Sequence, residues 1–226
     1  MAGAPDRRGG MVRAWLRDLA AGGIGDAALL WPDTPVHDIQ AAITRRVGAS
    51  DLVLDDVCCR SRTIIHALRN LLSRGVLAGQ PVILDVCCGD GIILWQLKRA
   101  MPHAYCYGID IRRYDWHDIV KRAGVHIWPV PLQRLVQSAP PTRLDITLTL
   151  NTIRDWASAG LSPADSALPE QLDGWLCAHT DWLIATLTEA QCDDWLAWGY
   201  VVTEIGPGED ASRMYLVDIG GRHGAA

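Results

Sequence analysis

Pro81–Val86 reads PVILDV, and Cys87-Cys88-Gly89-Asp90-Gly91 follows at once. No other stretch restricts the fold as narrowly. The apolar run carries no polar alternation, so it suits a strand buried on both faces, the environment of a parallel sheet. Ile93 and Leu97 then share a helical face, and Pro102 limits that helix. A strand, a glycine turn and a helix in that order build a parallel sheet covered by helices.

The pattern recurs downstream. Ala104–Asp110 (AYCYGID), Val125–Val130, Leu144–Leu150 (LDITLTL) and Asp181–Leu187 (DWLIATL) read as further strands. A short helix over Trp116, Ile119 and Val120 ends at Gly124, and another runs from about Asp165 to Ala178. Thr188-x-x-Gln191 is a capping box for the helix Glu189–Trp198, which Gly199 closes. Tyr200–Ile205 and Arg213–Ile219 are joined by GPGEDAS, too short for a crossover helix, so they pair as an antiparallel hairpin. The expected fold is α/β: seven strands, mostly parallel, one reversed at the edge, with helices on both faces.

Upstream of Gly79 the periodicity is helical. Val12, Trp15, Leu16 and Leu19 share a face before Gly22-Gly23. Thr34-Pro35 opens a second helix through Val36, Ile39, Ile43 and Val47, which Gly48 ends. Ser50 caps a third, through Leu52, Val53 and Val57, and Ile64, Ile65, Leu68, Leu71 and Leu72 continue or restart it as far as Gly75. The chain divides into a helical extension over 1–79 and an α/β domain over 80–226.

Composition narrows the function. The 226 residues are 49% hydrophobic and 21% charged, which is ordinary for a globular protein. The net charge of −5 disfavours a dedicated duplex-binding protein. No apolar run reaches the length of about 20 residues that spans a bilayer, so no membrane association is expected. The N-terminal sequence MAGAPDRRGGMVRAW has no apolar core of a secretory signal. The seven cysteines form no C-x-x-C, and the histidines fit no metal spacing, so reduced thiols in a cytoplasm and no metal are expected.

The chemistry lies in the loop after the first strand. Gly89 and Gly91 admit positive φ and let a ligand lie against bare backbone. The following helix presents unpaired N–H groups and a partial positive charge, which suits a carboxylate as well as a phosphate. Asp85 can accept from an ammonium group, and Asp110, closing the second strand, from two ribose hydroxyls. The pattern describes a nucleoside that also bears a cation. Cys87 and Cys88 are simplest as small residues that fit the loop, not as nucleophiles.

LDVCCGDG, YGIDI, LDITLTLN and the terminal hairpin together resemble the class I S-adenosylmethionine-dependent methyltransferases, over residues 81–219. The DVCCG spelling is similar to that of methyltransferases of quinone biosynthesis. The resemblance implies a Rossmann-like fold, S-adenosylmethionine as cofactor and S-adenosylhomocysteine as product. It implies that Asp85, Cys87, Cys88, Gly89, Asp90 and Gly91 hold the methionine part, that Asp110 and Ile111 hold the ribose, and that Leu150 and Asn151 line the methionine and acceptor side. Cys87 stands where the family pattern has its first glycine. Where the family often carries an acidic residue for adenine, this chain has Trp128-Pro129-Val130-Pro131-Leu132, which leaves the Leu132 N–H and apolar packing. Asn151-Thr152-Ile153-Arg154 is not the N/D-P-P-Y of enzymes that methylate base amines. Asp155, His37 and His179 are the candidate catalytic bases, and Trp31, Arg154 and Trp156 the candidate acceptor contacts. The implied activity is methyl transfer to O, N or C of a small molecule in bacterial (secondary) metabolism and biosynthesis, with the 1–79 helices as a lid; a homodimer is allowed. The competing readings are an RNA methyltransferase gripping phosphates through Arg45-Arg46, Arg60, Arg62 and Arg69, and a fold that binds the cofactor without transfer.

Overall fold

The computed structural model describes residues 7–22, 52–111, 116–150, 167–208 and 212–221. Its core is one sheet in the order β3-β2-β1-β4-β5-β7-β6. The strands are β1 (Val82–Val86), β2 (Tyr105–Ile109), β3 (Val125–Trp128), β4 (Leu144–Thr149), β5 (Thr180–Leu187), β6 (Val201–Pro207) and β7 (Arg213–Asp218). β1 pairs in parallel with β2 on one side and β4 on the other, so Asp85 stands beside Gly108 and Leu148. The order reverses direction between β1 and β4, the switch point at which such sheets open a crevice beyond the carboxyl ends of the strands.

β1 and β4 are buried along their whole length. β1 does so as its apolar run requires, whereas β4 (LDITLT) alternates apolar with polar residues and buries Asp145 by accepting from Val82 N–H and Thr147 by bonding Thr180. Alternate residues feed opposite layers: Val82, Leu84 and Val86 join one core cluster, Ile83 and Ile146 the other. The first layer holds α1 (Arg7–Ala21), α5 (Leu132–Val136), α6 (Leu168–His179) and α7 (Glu189–Ala197). The second holds α2 (Leu52–Ser73), α3 (Ile92–Ala100) and α4 (Trp116–Arg122).

The described helices of the 1–79 segment are thus layers of the sandwich. α1 buries Val12 and Leu16 and stacks Trp15 on Trp175 of α6 at 6.4 Å. Its last carbonyls are met by Arg134, whose guanidinium donates to the carbonyls of Leu19 (2.7 Å) and Gly22 (3.0 Å). α2 is one continuous helix, with Ile64, Leu68 and Leu71 buried against α3. The helix read over Thr34–Val47 and the Ser50 cap lie outside the described residues.

The closing hairpin forms, but the reversed strand is not the outermost. β7 inserts between β5 and β6, antiparallel to both, and β6 takes the edge. The two strands differ in burial. β7 buries Met214, Tyr215 and Val217, whereas β6 buries no residue fully, exposes Val201, Thr203 and Glu204 and ends in Pro207. An edge strand is better polar, short of apolar surface and closed by proline. The capping box at Thr188 is present in both directions, with Gln191 N–H donating to Thr188 Oγ1 and Thr188 N–H donating to Gln191 Oε1 at 2.9 Å. The short helix α5 had no apolar periodicity to announce it; Pro131, extended at φ −65° and ψ 143°, starts it. No described helix is long and apolar enough to cross a membrane.

Candidate functional site

The loop between β1 and α3 turns three times through positive φ: Cys87 at 59°, Gly89 at 57° and Gly91 at 79°. This explains the glycines of the pattern, and it shows what the cysteine costs. A non-glycine residue in the left-handed region gives up about 1–2 kcal/mol. The loop is nevertheless well held. Cys88 N–H donates to the Ile109 carbonyl at 3.0 Å, and Gly89 N–H donates to Asp110 Oδ2 at 2.9 Å. Asp110 N–H in turn donates to the Trp128 carbonyl at 3.1 Å. The carboxyl ends of β1, β2 and β3 are therefore laced together through Asp110. Asp90 Oδ1 accepts from Ile92 N–H at 3.0 Å and so caps the first turn of α3.

His117 Nε2 lies 2.8 Å from the Gly89 carbonyl. A carbonyl can only accept, so Nε2 carries the proton. Sequence reading had no signal for this contact, because α4 reaches the loop only in the folded sheet.

The electrostatics are unusual for a buried strand. Asp85 is 3% exposed. Burial pushes its carboxyl well above the ordinary value, Asp110 and Asp90 push it further, and Arg60 of α2 opposes them. Asp90 is raised by burial as well. Cys88 is raised well above the ordinary thiol by burial and then by Asp85 and Asp110, so the thiol stays protonated and is no nucleophile. Arg60 is itself buried at 8% exposure. The RNA alternative has it gripping phosphates; the fold buries it where it opposes the shift of Asp85. Its neighbours Arg62 and Arg69 are exposed.

Two glycines show what the loop leaves room for. A Cβ on Gly108, in β2 beneath the loop, would sit 2.6 Å from Cys88 Sγ and 2.9 Å from Leu94 Cδ1. A Cβ on Gly89 would meet nothing within 4 Å. Bare backbone at the top of the loop faces open space, and tight packing lies below it. Such a cradle fits S-adenosylmethionine: backbone donors and a helix start for the carboxylate, and buried anionic groups for the cation. Ile111 is half-buried at the end of β2, and Leu132 opens α5, where its N–H has no acceptor within the helix. Leu150 is buried at the end of β4. Just before it, Thr149 Oγ1 is buried with no hydrogen-bond partner among the described residues.

The remaining candidates are not gathered here. His179 closes α6 at the amino end of β5, the edge of the sheet opposite the loop, and packs against Trp175 at 5.3 Å. A base over the reacting methyl group must stand at the carboxyl edge, so the parallel sheet removes His179 from that role. Trp31, His37, Asn151, Arg154, Asp155 and Trp156 lie outside the described residues.

No protein-family model matches the chain, and no curated protein does. Solved structures do. Magnesium protoporphyrin IX methyltransferase (ChlM) from Synechocystis PCC 6803 with bound SAM is 16% identical, with a TM-score of 0.53 over 96% of this chain and 99% of that one. The same enzyme with bound SAH gives 0.54 at 15% identity, over 82% and 95%. The bifunctional kinase-methyltransferase WbdD gives 0.50 at 15% identity, over 71% of this chain and 40% of that one. The chain spans about two fifths of the length of the WbdD structures that it matches. With its sheet order, reversed β7 and glycine loop, the chain has the fold of the class I S-adenosylmethionine-dependent methyltransferases.

Proposed function

We propose that this protein transfers the methyl group of S-adenosylmethionine to a small-molecule acceptor. The observation that carries the reading is the left-handed loop Cys87–Gly91, tied by Gly89 N–H to Asp110, with Asp85 buried behind it and open space above Gly89. In this reading Asp85 faces the ammonium of the methionine part, the loop amides its carboxylate, and Asp110 the ribose. Leu132 and Leu150 enclose adenine and methionine.

S-adenosylmethionine, when bound, supplies a methyl group already activated on a sulfonium. The chain's share of the work is to bind, align and exclude water. Alignment of an acceptor within about 3–3.5 Å of the methyl carbon can supply much of the rate. An O or N acceptor must also lose a proton, and Asp155 and His37 are the proposed bases. Trp31, Arg154 and Trp156 are the proposed acceptor contacts. β4 ends at Thr149, on the same edge of the sheet as the loop.

RNA ranks behind a small molecule as acceptor. The net charge is −5, and Arg60, one of the arginines a phosphate grip would use, is buried. The test is direct. The purified protein is incubated with cofactor and candidate acceptors, and S-adenosylhomocysteine is measured by mass spectrometry. Formation that depends on a small acceptor supports transfer; cofactor binding with no turnover on any acceptor would leave a binding fold. In calorimetric titration with S-adenosylhomocysteine, Asp110→Ala loses two roles at once, the loop anchor and the ribose acceptor. A charge-assisted hydrogen bond is worth about 1.5–3 kcal/mol, so affinity falls about tenfold or more. Unchanged affinity overturns the ribose assignment.

A further inference from the structure

A cavity of about 650 Å³ lies at the outer edge of β3, between α1 on one face of the sheet and α4 on the other. None of Asp85, Gly89, Gly91, Asp110, Leu132 or Leu150 lines it. We infer that this cavity is a second binding site, for a small phosphomonoester or a comparably compact dianion.

Charge is the first argument. On a chain of net charge −5, the cavity gathers Arg13 and Arg17 from α1 and Lys121 from α4, against the single carboxylate of Asp118. Arg13 and Arg17 are one turn apart, so they project together. Arg17 does touch Asp18, at 3.1 Å, but both side chains are about 70% exposed, and such a pair contributes little. Cations brought together from two helices repel one another until an anion joins them. Arginines are suited to the task because the planar guanidinium can bind phosphate oxygens in pairs.

The wall is the second argument. His126 sits on β3 at the back of the cavity. Burial, then Arg13, Lys121 and Lys98, hold its imidazole down to about 4. It is therefore neutral at pH 7, a hydrogen-bonding group set among fixed cations. Trp128 stands beside it, with ring centroids 5.8 Å apart, and gives the wall an apolar part.

Space is the third. A Cβ on Gly10 would meet nothing within 4 Å, so the α1 face opens onto the cavity. The volume falls in the range of small-molecule sites, about 300–1,000 Å³. A polymer would want a continuous basic surface, and the three cations of this cavity stand on a chain of net charge −5. The cavity adjoins the loop region through three of its lining residues: His117 donates to Gly89, the Trp128 carbonyl accepts from Asp110 N–H, and Trp128 and Pro129 open the stretch that the resemblance sets beside adenine.

The experiment is calorimetric titration of the whole protein at fixed ionic strength with inorganic phosphate, glycerol 3-phosphate and glycerol. Both phosphates should bind and glycerol should not. Arg13→Met and Lys121→Met should each weaken phosphate tenfold or more, while Arg69→Met on the exposed face of α2 should not. Affinity for S-adenosylhomocysteine should stay within twofold in all three variants, which also shows that they fold. Several outcomes overturn the inference: phosphates binding no better than glycerol, Arg69→Met weakening phosphate as much as Arg13→Met, S-adenosylhomocysteine displacing phosphate competitively, or an RNA oligonucleotide binding where neither phosphate does.

Discussion

Gly89→Ala should separate cofactor binding from stability. Gly89 has φ 57°, so an alanine there meets the left-handed penalty of about 1–2 kcal/mol. The stiffer unfolded chain returns about 0.4–1 kcal/mol. The net loss is about 0–1.5 kcal/mol, and for a chain of this size each kcal/mol moves Tm by about 2–4 °C. Nothing clashes, because the new methyl points into open space. That space is where the proposed ligand lies, and overpacking costs about 1–3 kcal/mol, a loss of affinity of about 5–150-fold. Gly108→Ala is the counterpart. Its Cβ would meet Cys88 Sγ at 2.6 Å, Leu94 Cδ1 at 2.9 Å and Ile127 Cγ1 at 3.1 Å. Here the same overpacking falls on the fold and lowers Tm by several degrees with or without ligand. Calorimetric melting gives Tm, and titration with S-adenosylhomocysteine gives affinity. If Gly89→Ala binds S-adenosylhomocysteine as the parent does, the cradle is not where the ligand sits.

Three further outcomes are expected. Cys87→Gly relieves the left-handed strain of about 1–2 kcal/mol at the expense of chain entropy and a half-buried thiol, so denaturant melts should place it level with or above the parent, and Cys87→Val below Cys87→Ala; equal melts for Val and Ala would count against the strain. Thr149→Val removes a buried hydroxyl with no partner among the described residues, so it should be neutral or stabilise by about 1–3 kcal/mol; a clear loss in urea melts would reveal a bond to the hydroxyl. Asp85→Asn bears on pH. The folded carboxyl titrates above 3.8, chiefly through burial, so between that value and its folded pKa the native state holds a proton the unfolded chain has lost, and stability falls as pH rises through the window. Asp85→Asn should therefore gain on the parent across that window while losing affinity for S-adenosylhomocysteine, and a parent–variant difference that stays flat with pH refutes the assignment.

Much of this was legible in the chain. β1 announces itself because a strand buried on both faces has little polar alternation to blur it, and Thr188-x-x-Gln191 is a local device that needs no tertiary context. That β4, with its alternating LDITLT, is buried on both faces shows only once Asp145 and Thr147 find their partners in Val82 and Thr180. Gly89 and Gly91 could be picked out because a turn through positive φ demands them, and Asp85 and Asp110 because they are carboxylates near the ends of the two apolar strands that flank it. What sequence missed depends on contacts between distant segments. Arg60 looks like any arginine on an amphipathic helix until α2 docks beside α3 and turns it inward. His117 meets Gly89 only because α4 folds back over the loop. His179 stands just before a strand, and nothing local says that this puts it at the edge away from the loop. The hairpin was legible, but its geometry fixes only the relative direction of β6 and β7 and not which of them meets β5, so the place of the reversed strand one in from the edge was not.

The energetics of Asp85 tie these points together. β1 is apolar and fully buried, and an uncharged residue at position 85 would suit the sheet better than a carboxylate that burial, Asp110 and Asp90 all oppose. Local rules are broken in this way where a site needs the group for something other than folding. Arg60 answers only part of the charge, since the carboxyl remains well above its ordinary value with Arg60 in place. In the proposed function a cationic group beside Asp85 would offset more of it, so that part of its binding energy would be relief of a penalty set by the fold. On this argument α2 is more than a covering layer. By bringing Arg60 to the loop it offsets part of what burial, Asp110 and Asp90 impose on the Asp85 carboxylate.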